Sequence, residues 1–212
     1  MTYKAVLFDM DGVILDSEPL HVAAFQATLK EYGHDLSDKD YKDFFAGRTD
    51  KEGFERYFTF INESVELPVV MDEKTRAYIA LAADQLQAYP GVVSIIKELS
   101  RQVKLALVTG SLRVEAEIAL KACGIEDCFD AMIAAEDVEH GKPNPEGYLK
   151  AIHLFDVSTE ESVIVEDSPS GVKAARAAGI DCIAVTNTHT RNELSDATSV
   201  VDSLTLSSFI IE

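Results

Sequence analysis

Apolar residues fall along the chain in runs of two kinds. Short continuous runs occur at residues 3–8, 103–108, 131–135, 162–165, 182–185 and, more weakly, 199–201, and these read as strands. Between most of them lie segments of helical period. Val92, Ile95, Ile96 and Leu99 follow the i, i+3, i+4, i+7 pattern after a Pro90-Gly91 start. Strands alternating with helices predict an α/β fold, a Rossmann-like doubly wound parallel sheet with helices on both faces.

One interval breaks the alternation. From about residue 17 to residue 89 the pattern is helical throughout. Phe25, Leu29 and Tyr32 share a face, Gly33 is a fitting C-terminal stop, and further candidates lie at 40–45, 52–61 and 73–86. We expect a core domain of residues 1–16 and 88–212, interrupted by a separate helical cap at 17–87. The alternative is one continuous domain with a long helical excursion. The sequence contains no internal repeat and no low-complexity tract.

Composition changes this picture little, and charge narrows it. A chain of 212 residues, 47% hydrophobic and 26% charged, is long enough and apolar enough to bury a good core. Its formal net charge of -18 repels nucleic acid and anionic membranes, so neither is expected as a partner. Cys123, Cys128 and Cys182 have no metal-ligand spacing and read as buried reduced thiols. No leader is evident before the first strand and no apolar stretch is long enough to span a bilayer, which predicts a soluble, cytoplasmic protein. Oligomeric state is left open.

Four short polar stretches share one placement, just past a strand. They are Asp9-Met10-Asp11-Gly12, Thr109-Gly110-Ser111, Gly141-Lys142-Pro143 in the loop after the third strand, and Glu166-Asp167-Ser168. In an open parallel sheet the carboxyl ends of the strands share one edge, where ligands bind, so stretches far apart in sequence can converge. Asp9, Asp11, Glu166 and Asp167 would then crowd carboxylates together, and their repulsion calls for a cation. An all-oxygen ligand set favours Mg²⁺ over zinc. Lys142, the Thr109 hydroxyl and backbone N–H groups near Gly110 and Gly12 add donors, and the whole set suits a phosphoryl group.

The combination DMDG, VTGS, GKPNP and VEDS, in this order and spacing, resembles the haloacid dehalogenase superfamily of phosphotransferases. A helical insertion between the first two motifs resembles its phosphatase and β-phosphoglucomutase-like branch. The resemblance covers essentially the whole chain. It implies that Asp9 is the nucleophile that becomes an aspartyl phosphate, and that Asp11 is the general acid/base whose backbone carbonyl also binds the metal. By the same resemblance Thr109 bonds a phosphoryl oxygen, Lys142 neutralises the phosphoryl charge and Asp167 binds Mg²⁺ directly. Glu166 is either a further ligand or an orienting residue. Ser111 either touches the substrate phosphate or caps the next helix.

In the insertion, His21 stands where the β-phosphoglucomutase branch has a histidine. Gly47-Arg48 forms a loop whose arginine could hold a substrate oxygen or a second phosphate. The mutase pattern places arginine three positions past that glycine, and here the residue is Asp50. The expected function is therefore a Mg²⁺-dependent phosphatase acting on a small phosphomonoester, a sugar or polyol phosphate. The alternatives are a β-phosphoglucomutase-like mutase and a non-catalytic phosphometabolite sensor. Dehalogenase chemistry is excluded, because attack on carbon would leave Asp11 and the acidic pair without a task.

Overall fold

The computed structural model describes residues 3–46 and 48–209. In chain order, β1 (Ala5–Phe8) is followed by four helices, α1 (Glu18–Glu31), α2 (Asp38–Phe44), α3 (Asp50–Phe60) and α4 (Leu67–Gln85). Then come α5 (Val92–Leu99), β2 (Lys104–Val108), α6 (Arg113–Ala122), β3 (Ala131–Ile133) and α7 (Glu146–Phe155). The chain closes with β4 (Ser162–Glu166), α8 (Pro169–Ala178), β5 (Asp181–Val185) and β6 (Ser199–Val201). The residues cluster into two compact units, Met1–Asp16 with Gln87–Glu212, and Ser17–Leu86.

The first unit is a six-stranded sheet in the order β3-β2-β1-β4-β5-β6, parallel at every pairing. Successive strands leave β1 in one direction through β2 and β3, and in the other through β4, β5 and β6. The switch point therefore lies between β1 and β4, which is where such sheets open a crevice at their carboxyl ends. All four residues of β1 are buried. A fully buried Leu or Phe side chain contributes about 2–3 kcal/mol, so Leu7 and Phe8 anchor the strand right up to the polar residues that follow. Val92, Ile95, Ile96 and Leu99 are all buried along α5, as the period predicts.

Strand ends differ from expectation where side chains take over the backbone's hydrogen bonds. β3 stops at Ile133 rather than 135, because Asp137 Oδ2 accepts from Ala134 N–H at 2.8 Å and winds 135–137 into a 3₁₀ turn. β4 runs one residue further than its apolar run, through Glu166. Among the cysteines, Cys182 is buried while Cys123 and Cys128 are only half-buried, and all three are free thiols. The C-terminal segment packs inward at Phe209, which is buried and lies 6.2 Å from the Phe8 ring.

The second unit has a core of its own. Phe25, Leu29, Tyr41, Phe54, Tyr57 and Phe58 of α1 to α3 are buried together with Phe45, which caps α2, and Val70 of α4 joins them. Ser37 and Thr49 start α2 and α3 as capping boxes, each side chain accepting from the N–H three residues on. Gly33 follows α1 with φ of 85°, the left-handed position that a helix stop requires. Among the described residues no helix is long and apolar enough to cross a membrane.

Candidate active site

The site grows from the end of β1. Asp9 N–H still bonds Val165 O at 3.0 Å, so its backbone belongs to the sheet. Beyond it the N–H groups of Ile14 and Leu15 turn back onto Met10 O at 2.8 and 3.1 Å. Gly12 carries the turn with φ of 77°, and a Cβ there would overlap the Asp167 carboxylate. Asn187 fixes the turn from another strand end, its Nδ2 donating to Gly12 O at 2.8 Å. Gly171, in the first turn of α8, has a similar duty: a Cβ would overlap the Glu166 carboxyl. Two glycines thus make room for two acids.

The charges meet around Lys142. Its Nζ lies 2.8 Å from Asp9 Oδ1 and 2.7 Å from Glu166 Oε1. Asp9 Oδ1 also accepts from Met10 N–H at 2.8 Å, so one carboxylate oxygen takes both donors. Glu166 is held further by the Tyr148 hydroxyl at 2.6 Å and by the backbone N–H groups of Asp167 and Ser168. Asp167 accepts from the Thr188 hydroxyl. Carboxylate oxygens of Asp9, Glu166 and Asp167 lie within 4.8 Å of one another, and all three residues are buried.

Titration directions follow from this crowding. Burial pushes the Asp9 carboxyl well above the ordinary carboxylate range; Lys142 pulls it back, while Glu166 and Asp167 push it further up. Asp167 is pushed up to about 7, first by burial and then by the charge of Glu166. Glu166 goes the other way. Burial would raise it, but the Lys142 charge and the hydrogen bonds from Lys142 and Tyr148 outweigh that and hold it down. Burial alone would lower the Lys142 ammonium, yet Asp9 and Glu166 hold it above the ordinary lysine value. Three buried carboxylates face one ammonium, and a hard divalent cation fits the remaining negative charge and the oxygen-only donors.

A second strand end joins through Ser111. Its hydroxyl donates to Asp11 Oδ2 at 2.7 Å, and its N–H donates to the Thr109 hydroxyl oxygen at 3.0 Å. Thr109 is buried and, having accepted, keeps its own O–H proton to donate. The cap role open to Ser111 is corrected here, since the residue at the N-cap of α6 is Leu112. Gly110 is exposed, with its backbone N–H beside these hydroxyls in sequence. The three-acid group does not include the Asp11 carboxylate.

His21 and Arg48 belong to the helical unit, and Gly47 lies outside the described residues. Arg48 is exposed and donates to Ala46 O at 3.2 Å. His21 stacks on Tyr78 at 4.3 Å, and its Nδ1 is 3.1 Å from Lys74 Nζ. An ammonium can only donate, so Nδ1 is the acceptor in this contact. Lys74 is fully buried, pairs with Asp50 at 2.8 Å and lies over the Phe25 and Tyr78 rings.

Sequence reasoning missed Lys74, Tyr148, Asn187 and Thr188. A signal existed for Lys74: it falls in the row Val70, Lys74, Tyr78, Ala82, spaced by four, all otherwise apolar and all buried. Tyr148 read as a core residue, and nothing local announced its hydroxyl's partner. Asn187 and Thr188 follow β5, and the rule that strand ends converge could have nominated them.

A doubly wound sheet that gathers three buried carboxylates around a lysine at its switch point has the makings of a phosphoryl-transfer site. Residues 6–185 match the family described as haloacid dehalogenase-like hydrolase, and the chain belongs to it. Validoxylamine A 7'-phosphate phosphatase of Streptomyces hygroscopicus subsp. limoneus is 32% identical over 206 residues, 96% of this chain and 95% of that protein. A phosphorylated carbohydrates phosphatase of Thermotoga maritima is 36% identical over 189 residues, 85% of this chain and 83% of its own. The crystal structure of CbbY from Rhodobacter sphaeroides in complex with phosphate superposes with a TM-score of 0.86 at 29% identity, covering 95% of this chain and 94% of that one. Within the family, the relatives' names favour phosphatase over mutase chemistry.

Proposed function

We propose that this chain hydrolyses a small phosphomonoester, a sugar or polyol phosphate, through an aspartyl phosphate on Asp9. The observation that carries this reading is the Asp9 carboxylate, buried and fixed through Oδ1 by Met10 N–H and Lys142, which leaves Oδ2 for attack. In the first half-reaction an Asp9 oxygen bonds to phosphorus as the ester P–O bond breaks, and the departing alkoxide takes the proton of Asp11. In the second, Asp11 removes a proton from water, whose oxygen attacks phosphorus. The Asp9–phosphorus bond breaks and inorganic phosphate leaves. Ser111, on Asp11 Oδ2, keeps that carboxyl aimed. Lys142, Thr109 and the N–H of Gly110 hold the equatorial oxygens.

Asp9, Asp167 and the Asp11 carbonyl would hold Mg²⁺, which when bound supplies positive charge to the phosphoryl oxygens and keeps Asp9 ionised. The saturated hydrogen bonding of Glu166 favours an orienting role over direct ligation.

Substrate choice falls to the helical unit, where His21, Arg48 and Gly47 are the candidates. Asp50 supports a monophosphate. It puts a carboxylate, paired with Lys74, where the mutase pattern has arginine, and a carboxylate there opposes a second phosphate group. The relatives named for phosphorylated sugars support the same substrate class.

Phosphate release should be measured with Mg²⁺ across sugar, polyol and nucleotide monophosphates. We expect turnover of a few sugar phosphates, reduced at least about 10³-fold in Asp9→Asn and abolished by chelation. Conversion of a sugar 1-phosphate to its 6-phosphate with a bisphosphate primer, without phosphate release, would mean a mutase. Binding without turnover in either form would mean a sensor.

A further inference from the structure

Glu166 has more partners than an acid at a metal site requires. Oε1 takes Lys142 Nζ at 2.7 Å and the Tyr148 hydroxyl at 2.6 Å, while Oε2 takes Asp167 N–H at 3.1 Å, Ser168 N–H at 3.2 Å and Ser168 Oγ at 3.0 Å. A carboxylate offers about four lone-pair directions, so these donors fill it. Four of them come from the short stretch after β4 and from Lys142. The fifth, Tyr148, comes from α7 and has no local reason to be there.

Tyr148 touches both members of the Lys142–Glu166 pair. Its hydroxyl is on Glu166, and its ring centroid is 5.2 Å from Lys142 Nζ. The residue is only 1% exposed and shares the inward face of α7 with Ala151 and Ile152. Packing alone would be served by phenylalanine, since a buried hydroxyl is costly unless bonded. Lys142 is shared between two acids at nearly equal distance, 2.8 Å to Asp9 and 2.7 Å to Glu166. Whatever weakens the hold of Glu166 on Lys142 turns the ammonium toward Asp9.

We propose that Tyr148 is a positioning residue for Lys142, acting through Glu166. Its hydroxyl spreads the charge of Oε1, and its ring face backs the ammonium, so that Lys142 stays engaged with Asp9 Oδ1 instead of collapsing onto Glu166. This rests on the hydrolase reading for its effect on rate, but not for its geometry.

The test is Tyr148→Phe, which keeps ring and volume and removes the donor. In metal-free protein labelled with ¹⁵N-lysine, the Lys142 ammonium resonance, assigned by its loss in Lys142→Met, should shift and exchange faster with water. With Mg²⁺ and p-nitrophenyl phosphate, kcat should fall about tenfold while KM stays within about twofold. Adding Tyr148→Phe to Glu166→Gln should change kcat by less than about twofold, because the path through Glu166 is already cut. An unmoved Lys142 resonance would overturn the proposal, as would a loss in kcat that persists undiminished in the Glu166→Gln background. If the wild type turns over no phosphomonoester, the hydrolase reading fails, and the lysine resonance still decides the role of Tyr148.

Discussion

The two units bury charge in different ways. At the strand ends of the α/β unit, Asp9, Glu166 and Asp167 crowd around Lys142 with backbone N–H groups filling in, and the balance stays negative. Inside the helical unit, Lys74 lies among aromatic rings and its charge is answered by Asp50. Loops at a sheet edge present many free amides and can hold a charge surplus open for a foreign cation. A helix interior has already spent its amides on its own ladder, so a buried side-chain charge must bring its own partner. The first arrangement is suited to taking up a cation, and the second answers its charge from within the helical unit.

Glycine substitutions give the largest contrast. Gly12 and Gly33 both sit at positive φ, 77° and 85°, so alanine is strained at either. At Gly33 a Cβ meets nothing within 4 Å, whereas at Gly12 it overlaps Asp167. We expect Gly33→Ala to cost about 1 kcal/mol with turnover intact. Gly12→Ala should cost about 3–4 kcal/mol and remove cation-dependent turnover, since the carboxylate must move. Urea unfolding and phosphate release on both variants would check this. Equal losses would mean that Asp167 is not tightly seated.

The helical unit's pair predicts an asymmetry of its own. Asp50→Ala removes the carboxylate paired with a fully buried ammonium and should destabilise by about 3 kcal/mol. Lys74→Met puts an apolar chain of similar length between Phe25 and Tyr78 and leaves Asp50 partly exposed, for a change within about 1 kcal/mol. A larger loss in Lys74→Met would show that the lysine is there to hold the unit together.

This contrast also explains what the sequence disclosed. Asp9, Thr109 and Asp167 were legible because they stand just past apolar runs, and Lys142 because its loop follows the third strand; parallel topology sends such residues to one edge. Their chemistry is written in neighbours two or three positions apart. The cluster in the helical unit joins Asp50 of α3 to Lys74 of α4 and His21 of α1, and no local spacing links them. Tyr148 fails for a related reason: periodicity tells which face is buried but not what a hydroxyl on that face will meet. Asp50 itself was noticed only as a departure from a pattern, and its partner emerged with the packing of α4.

The pH dependence of stability tests the charge balance directly. Burial and the Glu166 charge oppose the ionisation of Asp167 and push its carboxyl up to about 7, against an ordinary value of 3.8. Between those two values the folded chain keeps a proton that the unfolded chain has released. Stability of the metal-free protein must therefore fall as pH rises through that window. Asp9, also raised, contributes with the same sign. Glu166 is lowered, so its contribution is lost only as pH falls below its ordinary 4.5, outside most of the window. We expect the melting temperature in a chelator to drop by about 5 °C between pH 5 and pH 7. Excess Mg²⁺ should flatten or reverse that slope, because a cation binds the deprotonated group and so favours the folded state more as pH rises. A flat profile without metal would mean that the strand-end acids are as well balanced as the pair between Lys74 and Asp50, and the strand ends would then have no electrostatic reason to take up a cation.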